Sequence, residues 1–212
     1  MNYPNFQYIY PPRPKQKCKA ESLPIYDETG FFVAEAKLNG SCGVLYMNGK
    51  DIFLYNRHGE LMTNTQTLDY ESLYRGHGWM VLCGEYLNKN KKGWDGEPFN
   101  HKFVIWDILV YDGEYLVGKT KEERMVLLNE IYYHDISQTI TGEWMEEIDT
   151  DLYLIAPIEG DFKLFWEDIV KIDIYEGFVL KRLSAKLEHG YNENNNSSWQ
   201  IKCRKPTKNY TI

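Results

Sequence analysis

Apolar residues fall along the chain mostly in short runs bounded by turn signals, the punctuation of strands rather than of helices. Phe31-Phe32-Val33-Ala34-Glu35-Ala36-Lys37-Leu38 is the first, and Gly40-Ser41-Cys42-Gly43 after it reads as a turn. Residues 44–47 and 51–55 flank Asn48-Gly49, whose two residues tolerate positive φ, which predicts a hairpin. Residues 80–86 and 103–111 give two further strands, and Asp112-Gly113 a second tight turn. Thr120 stands three residues before Glu123, a capping box that opens a helix with Met125, Leu128, Ile131 and Tyr132 close to one face. Residues 135–151 are acidic and weakly patterned, and no element is assigned to them. Later strands are expected near 152–155, 177–183 and 199–203, with the polar run 194–198 as a loop. Strands outnumber helices, and several are joined by turns too short for a crossover. The expected fold class is therefore α+β, with twisted, mainly antiparallel sheets and flanking helices.

Composition narrows the setting. A chain of 212 residues that is 43% hydrophobic suits one domain with a substantial core. No apolar run approaches the roughly 18 residues of a membrane span, and Met1-Asn2-Tyr3-Pro4-Asn5 lacks a secretory pattern. Cys18, Cys42, Cys83 and Cys203 form no C-x-x-C pair, so reduced thiols and a cytoplasmic setting are expected. The net charge of −7 is unevenly spread. Residues 1–19 carry Arg13, Lys15, Lys17 and Lys19 with no acid, and residues 199–212 carry Lys202, Arg204, Lys205 and Lys208 with none. Between them 16 basic residues face 31 acidic ones. Two basic ends on an acidic body form a phosphate-binding stripe if they meet in space, and are merely solvated if they do not.

Several chemistries are absent from the sequence. There is no G-x-x-x-x-G-K-[ST], no G-x-G-x-x-G and no G-x-S-x-G, and the five histidines show no metal-ligand spacing. What remains is a set of short segments. Glu35 and Lys37, two apart on a strand, share one face, and alone they read as an ordinary surface pair. Then come Asn56-Arg57-His58-Gly59, Cys83-Gly84-Glu85-Tyr86 and Val104-Ile105-Trp106-Asp107-Ile108-Leu109. Glu176-Gly177-Phe178-Val179-Leu180-Lys181 and Ile201-Lys202-Cys203-Arg204-Lys205 complete the series.

In that order the segments resemble the covalent nucleotidyltransferase superfamily of ATP-dependent DNA ligases, RNA ligases and mRNA capping enzymes. Lys37-Leu38-Asn39-Gly40 resembles the nucleophile motif lysine-x-aspartate-glycine, with asparagine in place of aspartate. Gly84-Glu85, the strand around Trp106, Glu176 to Lys181, and Ile201 to Arg204 are similar to the motifs that follow it. The passage from Trp106 through Asp112-Gly113-Glu114 and Leu116 to Glu123-Arg124 and Leu127-Leu128 is closest to the ATP-dependent DNA ligase family. The chain looks most like its small phage and bacterial members, which share the Tyr-Pro-Pro-Arg-Pro start at residues 10–14 and the ending at residues 203–210.

The resemblance implies a single adenylation domain over residues 1–212, with 1–30 as an N-terminal extension and no C-terminal oligonucleotide-binding domain. It implies that Lys37 attacks the α-phosphate of ATP to form lysyl-AMP, with Mg²⁺ assisting, and that AMP then passes to a 5′-phosphate so that a nick is sealed. By the same resemblance Glu35 accepts from the adenine amino group and Trp106 stacks on the purine. Arg57 and Glu85 hold the ribose, Lys202 and Arg204 contact the α-phosphate, and Glu176 holds the metal. Lys181 either joins this set or is a buried strand lysine paired with Glu176. The implied partner is nicked double-stranded DNA, or RNA, with a separate clamp or oligonucleotide-binding protein, and no membrane.

Three features depart from the family pattern. Cys42 stands where DNA ligases usually carry arginine, Ser41 is similar to some RNA ligases, and the sequence ends at Ile212 just after the last motif. An RNA ligase and a non-catalytic nucleotide- or DNA-binding module are the alternatives. A capping guanylyltransferase fits less well, because Glu35 and the ligase-like passage favour adenine.

Overall fold

A computed structural model describes residues 6–63, 65, 68–88, 90–132 and 144–206. The Met1 to Asn5 start, His134, most of the unassigned 135–151 stretch, and Lys208 and Tyr210 lie outside them. In chain order the elements are β1 (Gln16–Cys18), α1 (Leu23–Glu28), β2 (Phe32–Leu38), β3 (Ser41–Met47), β4 (Ile52–Asn56), β5 (Met80–Leu87) and β6 (Lys102–Tyr111). They continue with β7 (Glu114–Tyr115), α2 (Lys121–Tyr132), β8 (Met145–Asp149), β9 (Leu152–Ile155), α3 (Phe162–Ile169), β10 (Tyr175–Arg182) and β11 (Gln200–Arg204).

The strands form two sheets. One runs β1-β11-β10-β2; the other runs β4-β3-β5-β6-β9-β8, with β7 paired to β6. Most pairs are antiparallel, as the alternating pattern and short turns require. The exceptions among the described residues are β1 with β11 and β6 with β9. The Asn48-Gly49 hairpin forms with Met47 opposite Ile52, so its loop has four residues. Asn48 Oδ1 accepts from the backbone of Lys50 (2.9 Å) and Asp51 (2.7 Å), and Gly49 takes φ +82°. The expected turn over residues 40–43 is shorter than that. Only Asn39 and Gly40 turn, because Ser41, Cys42 and Gly43 already pair with Tyr86, Glu85 and Gly84 of β5. This turn passes the chain from one sheet to the other, and Gly40 is needed there because a Cβ would lie 2.9 Å from the Glu85 side chain.

Alternation on β2 separates the core from the site. Ala34, Ala36 and Leu38 face an apolar layer with Phe178 and Leu180 of β10, Ile201 and Cys203 of β11, and Phe162, Trp166 and Ile169 of α3. Burying that layer on both sheets is what holds them together, at about 25 cal/mol per Å² of apolar surface removed from water. A second core lies around β3, β5 and β6, with Leu128 and Ile131 of α2 against it. The capping box of α2 forms as expected: Thr120 Oγ1 accepts from the Glu123 amide (3.1 Å) and Glu123 Oε2 from the Thr120 amide (2.7 Å). Its inner face is apolar only in its second half. In the first half Lys121 and Arg124 are buried, each meeting a carboxylate. The residues before β2 are woven into the body, since Ile9 is fully buried, β1 pairs with β11 and Cys18 lies beside Cys203.

Candidate active site

Three strands of the first sheet set out a grid of side chains. Lys37, Gly177 and Arg204 lie in one cross-strand row; Glu35, Val179 and Lys202 in the next; Val33, Lys181 and Gln200 in the third. A bulge between Tyr175 and Gly177, where Gly177 has φ +132°, interrupts the strand between Lys37 and Arg204, and the Glu176 side chain there reaches both. Its Oε2 stands 2.5 Å from Lys37 Nζ and 3.3 Å from Arg204 Nη2.

The second sheet contributes Cys42, Glu85 and Trp106, and the two sheets together border a cavity of about 790 Å³, within the size range of small-molecule sites. Glu85 Oε1 accepts from the Gly40 amide at 3.0 Å, which ties the turn after Lys37 to β5. Burial pushes the Glu85 carboxyl up to about 7, against the opposing pull of Lys37. Burial also pushes the Cys42 thiol up to about 12, so this cysteine is not a ready nucleophile. Lys202 is lowered by burial and by the nearby charges of Arg204, Lys17 and Lys37.

Every residue singled out in the sequence, Lys37, Glu35, Arg57, Glu85, Trp106, Lys202, Arg204, Glu176 and Lys181, borders this one cavity. Three have protein partners that the sequence did not indicate. Lys181 pairs with Glu35 rather than with Glu176. Its ammonium also lies 4.4 Å from the centre of the Trp106 ring, and burial lowers it to about 8, opposed by Glu35. Glu35, 3% exposed, is no surface residue; Lys121 Nζ reaches its Oε1 at 2.9 Å and also donates to the Trp106 carbonyl at 3.0 Å. Arg57 projects from the end of β4, with Nε 3.0 Å from His58 Nε2.

Sequence reasoning missed Lys121 and Glu193, and named Arg13 only within a basic run that would bind phosphate if the two ends of the chain met. Lys121 is an ordinary first-turn lysine of a capped helix until the helix is docked. Arg13 and Glu193 border the cavity from segments 180 residues apart, and the basic run at 13–19 was the one available signal. Among the described residues no group of three His, Cys, Asp or Glu side chains is placed to hold a metal ion. No helix among them is long and apolar enough to cross a membrane.

No protein-family model matches the chain, and no curated protein matches it significantly. Solved structures do match. The ligase domain of M. tuberculosis LigD superposes with a TM-score of 0.63 at 16% identity, covering 94% of this chain and 61% of that one. A mycobacterial DNA ligase D complexed with ATP and MES gives 0.63 at 17% identity, covering 94% and 62%. A structure from a study of Lig E DNA ligases and their DNA binding with a minimal scaffold gives 0.53 at 12% identity, covering 93% and 70%. The chain thus spans about three fifths of the two ligase D structures. At these identities the likeness is one of fold: the chain shares the α+β fold of those ligase structures.

Proposed function

We propose that the protein is an ATP-dependent polynucleotide ligase-type nucleotidyltransferase that acts on nicked DNA through a lysyl-AMP intermediate. The observation that carries this reading is the position of Lys37. Its amine enters a nucleotide-sized cavity beside Glu176, with Lys202 and Arg204 on the strand beyond.

In the first step Lys37 Nζ forms a bond to the α-phosphorus of ATP, and the bond from that phosphorus to the pyrophosphate oxygen breaks. The amine must shed a proton to attack, and the Glu176 carboxylate, 2.5 Å away, is an acceptor already in contact. Lys202 and Arg204 face the developing charge on the α-phosphate and cost no reorganisation, because alternate positions on β11 hold them on the cavity face. In the second step an oxygen of the strand's 5′-phosphate takes the AMP and Lys37 is released. In the third the adjoining 3′-hydroxyl attacks the activated phosphorus and AMP leaves.

Glu35 supports adenine as the base. Two lysines hold its carboxylate in place, one on each oxygen, and each oxygen retains a lone-pair site for an amino donor. Trp106 offers a flat apolar ring, while Glu85 and Arg57 are the groups for the ribose hydroxyls. The donor set also fits Mg²⁺ carried in on the triphosphate. Glu85 and Glu176 supply hard carboxylate oxygens too few to cage an ion alone, and phosphate oxygens would complete the shell. When bound, that ion would neutralise charge on the departing pyrophosphate.

The test is the intact mass of the purified protein after incubation with ATP and Mg²⁺, beside Lys37→Ala. An acid-labile gain of one AMP in the wild type alone is expected, followed by faster transfer to nicked DNA than to nicked RNA. No adduct with ATP or GTP, at raised pH and with Mn²⁺, refutes the enzyme and leaves a binding module.

A further inference from the structure

One stretch of the cavity wall has no part in this chemistry. Pro12, Arg13, Pro14 and Lys15, just before β1, border the cavity together with Glu193 and Asn194. The segment is held firmly. Tyr10 donates its amide to the Gly190 carbonyl (2.7 Å) and accepts from Asn196 Nδ2 (3.1 Å), and Lys15 Nζ donates to the Asn194 carbonyl (3.1 Å). Prolines on both sides of Arg13 fix their own φ and leave no amide there to pair. The Arg13 guanidinium is ion-paired to Glu193 and donates to the Arg57 carbonyl at 3.0 Å. It has five N–H donors in a planar fork, so these two partners leave others directed elsewhere.

The charge around it is unusual for this chain. Seven cations and four carboxylates border the cavity, whereas the whole sequence carries −7. Arg13 meets the Arg57 backbone just after β4, so the two arginines border the cavity side by side, and β3 lines it with Ser41 and Cys42. Lys37, Lys202 and Arg204 are accounted for by an α-phosphate. Arg13 stands apart from them on a different segment, with its side chain only 26% exposed. A second anionic group is the chemistry that such a placement fits.

We propose that Arg13 is a phosphate ligand of this cavity, carried in by the N-terminal segment and aimed by Glu193. It takes a phosphate that is not the α-phosphate: a terminal phosphate of the nucleotide, or the 5′-phosphate of the strand. This rests on the nucleotide reading of the cavity given above.

Equilibrium titration calorimetry on the full chain tests it without requiring catalysis. The ligands are ATP, AMP, and nicked duplexes with a 5′-phosphate or a 5′-hydroxyl; the proteins are wild type, Arg13→Gln and Arg13→Lys. A charge-assisted hydrogen bond to phosphate predicts about a tenfold or greater loss of affinity in Arg13→Gln. If the ligand is a terminal phosphate, ATP weakens and AMP does not. If it is the strand's phosphate, the preference for the 5′-phosphorylated nick disappears and ATP is unaffected. In either case Arg13→Lys recovers part of the loss, and the salt dependence of the affected ligand becomes shallower in Arg13→Gln. Wild-type binding of all four ligands reproduced by Arg13→Gln overturns the proposal alone. So does an equal weakening of ATP and AMP with a lowered melting temperature, which marks a structural role. A wild type that binds none of the four overturns the nucleotide reading and this proposal with it.

Discussion

Asp107→Ala is expected to be the most damaging single change outside the cavity, because it strands a buried guanidinium. Asp107 on β6 is fully buried, and the Arg124 side chain on α2 is 1% exposed. The two meet through a pair of bonds of 2.9 Å each, Nε to Oδ1 and Nη2 to Oδ2, while Nη1 donates to the Lys119 carbonyl at 2.8 Å. Removing the carboxylate leaves the charge with one neutral acceptor in a dry site, and breaking a buried pair in this way costs about 3–5 kcal/mol. Against a total stability of about 5–15 kcal/mol that is a large fraction. The apolar double variant Asp107→Leu, Arg124→Met removes both charges together, so it should lose at least about 2 kcal/mol less than the sum of the two single changes. The assay is urea unfolding at pH 7 of Asp107→Ala and of the four proteins of the cycle (wild type, Asp107→Leu, Arg124→Met and the double variant), with slopes compared to verify that the unfolded states are alike. A loss under about 1 kcal/mol for Asp107→Ala, or strict additivity in the cycle, refutes the reasoning. The pair also has a pH signature. Arg124, with Lys121 and Lys181, holds the Asp107 carboxyl well below the usual range against the opposing pull of burial. Its contribution is therefore complete above the unfolded value of about 3.9 and is lost as pH falls through the folded one. The double variant should be flatter below about pH 4. Function is attached to this pair, since Arg124 lies one turn from the Lys121 that grips Glu35.

Glu85→Gln tests the raised carboxyl of the cavity: a folded value of about 7 means that its contribution is full below the unfolded value and lost as pH rises through 7. The wild-type melting temperature should fall relative to Glu85→Gln between pH 5 and 8, and parallel curves would contradict that assignment. Gly177→Ala places a Cβ against the Cys203 carbonyl and 2.8 Å from the Trp166 ring at φ +132°. It should cost about 1–3 kcal/mol from backbone strain alone in urea unfolding, and should slow AMP-adduct formation in the surviving folded protein by misaiming Glu176.

Parts of the fold were legible because their causes are local. Short apolar runs placed β2, β5 and β6, and the period of two put Glu35 and Lys37 on one face before any partner strand was known. The capping box located the start of α2 because both of its hydrogen bonds close within four residues. Helix α3 was missed although its signal was present: Phe162, Trp166 and Ile169 recur at helical spacing and all three are buried. Strand β1 carried no such signal. Three residues of mixed polarity become a strand only because β11, far away in sequence, offers an open edge. For α2 the start was legible but the buried face was not, because that face mixes Lys121 and Arg124 with Leu128 and Ile131 and so lacks a clean apolar stripe.

The sequence by itself determined the strand-rich class and the shared face of Glu35 and Lys37, since each follows from spacing along a few residues, while the resemblance of its ordered segments to nucleotidyltransferase motifs picked out the residues that border the cavity. Tertiary structure alone decided how those residues are partnered. The bulge at Gly177 sends Glu176 to Lys37 and leaves Lys181 to Glu35; docking of α2 gives Glu35 a second lysine; and the segment before β1 brings Arg13 to the cavity beside Arg57 and Glu193. The physical reason is range. Strand period and capping act through bonds between near neighbours in sequence, whereas burial and ion pairing act between whichever side chains the folded sheets bring within a few ångströms, and no local pattern records that.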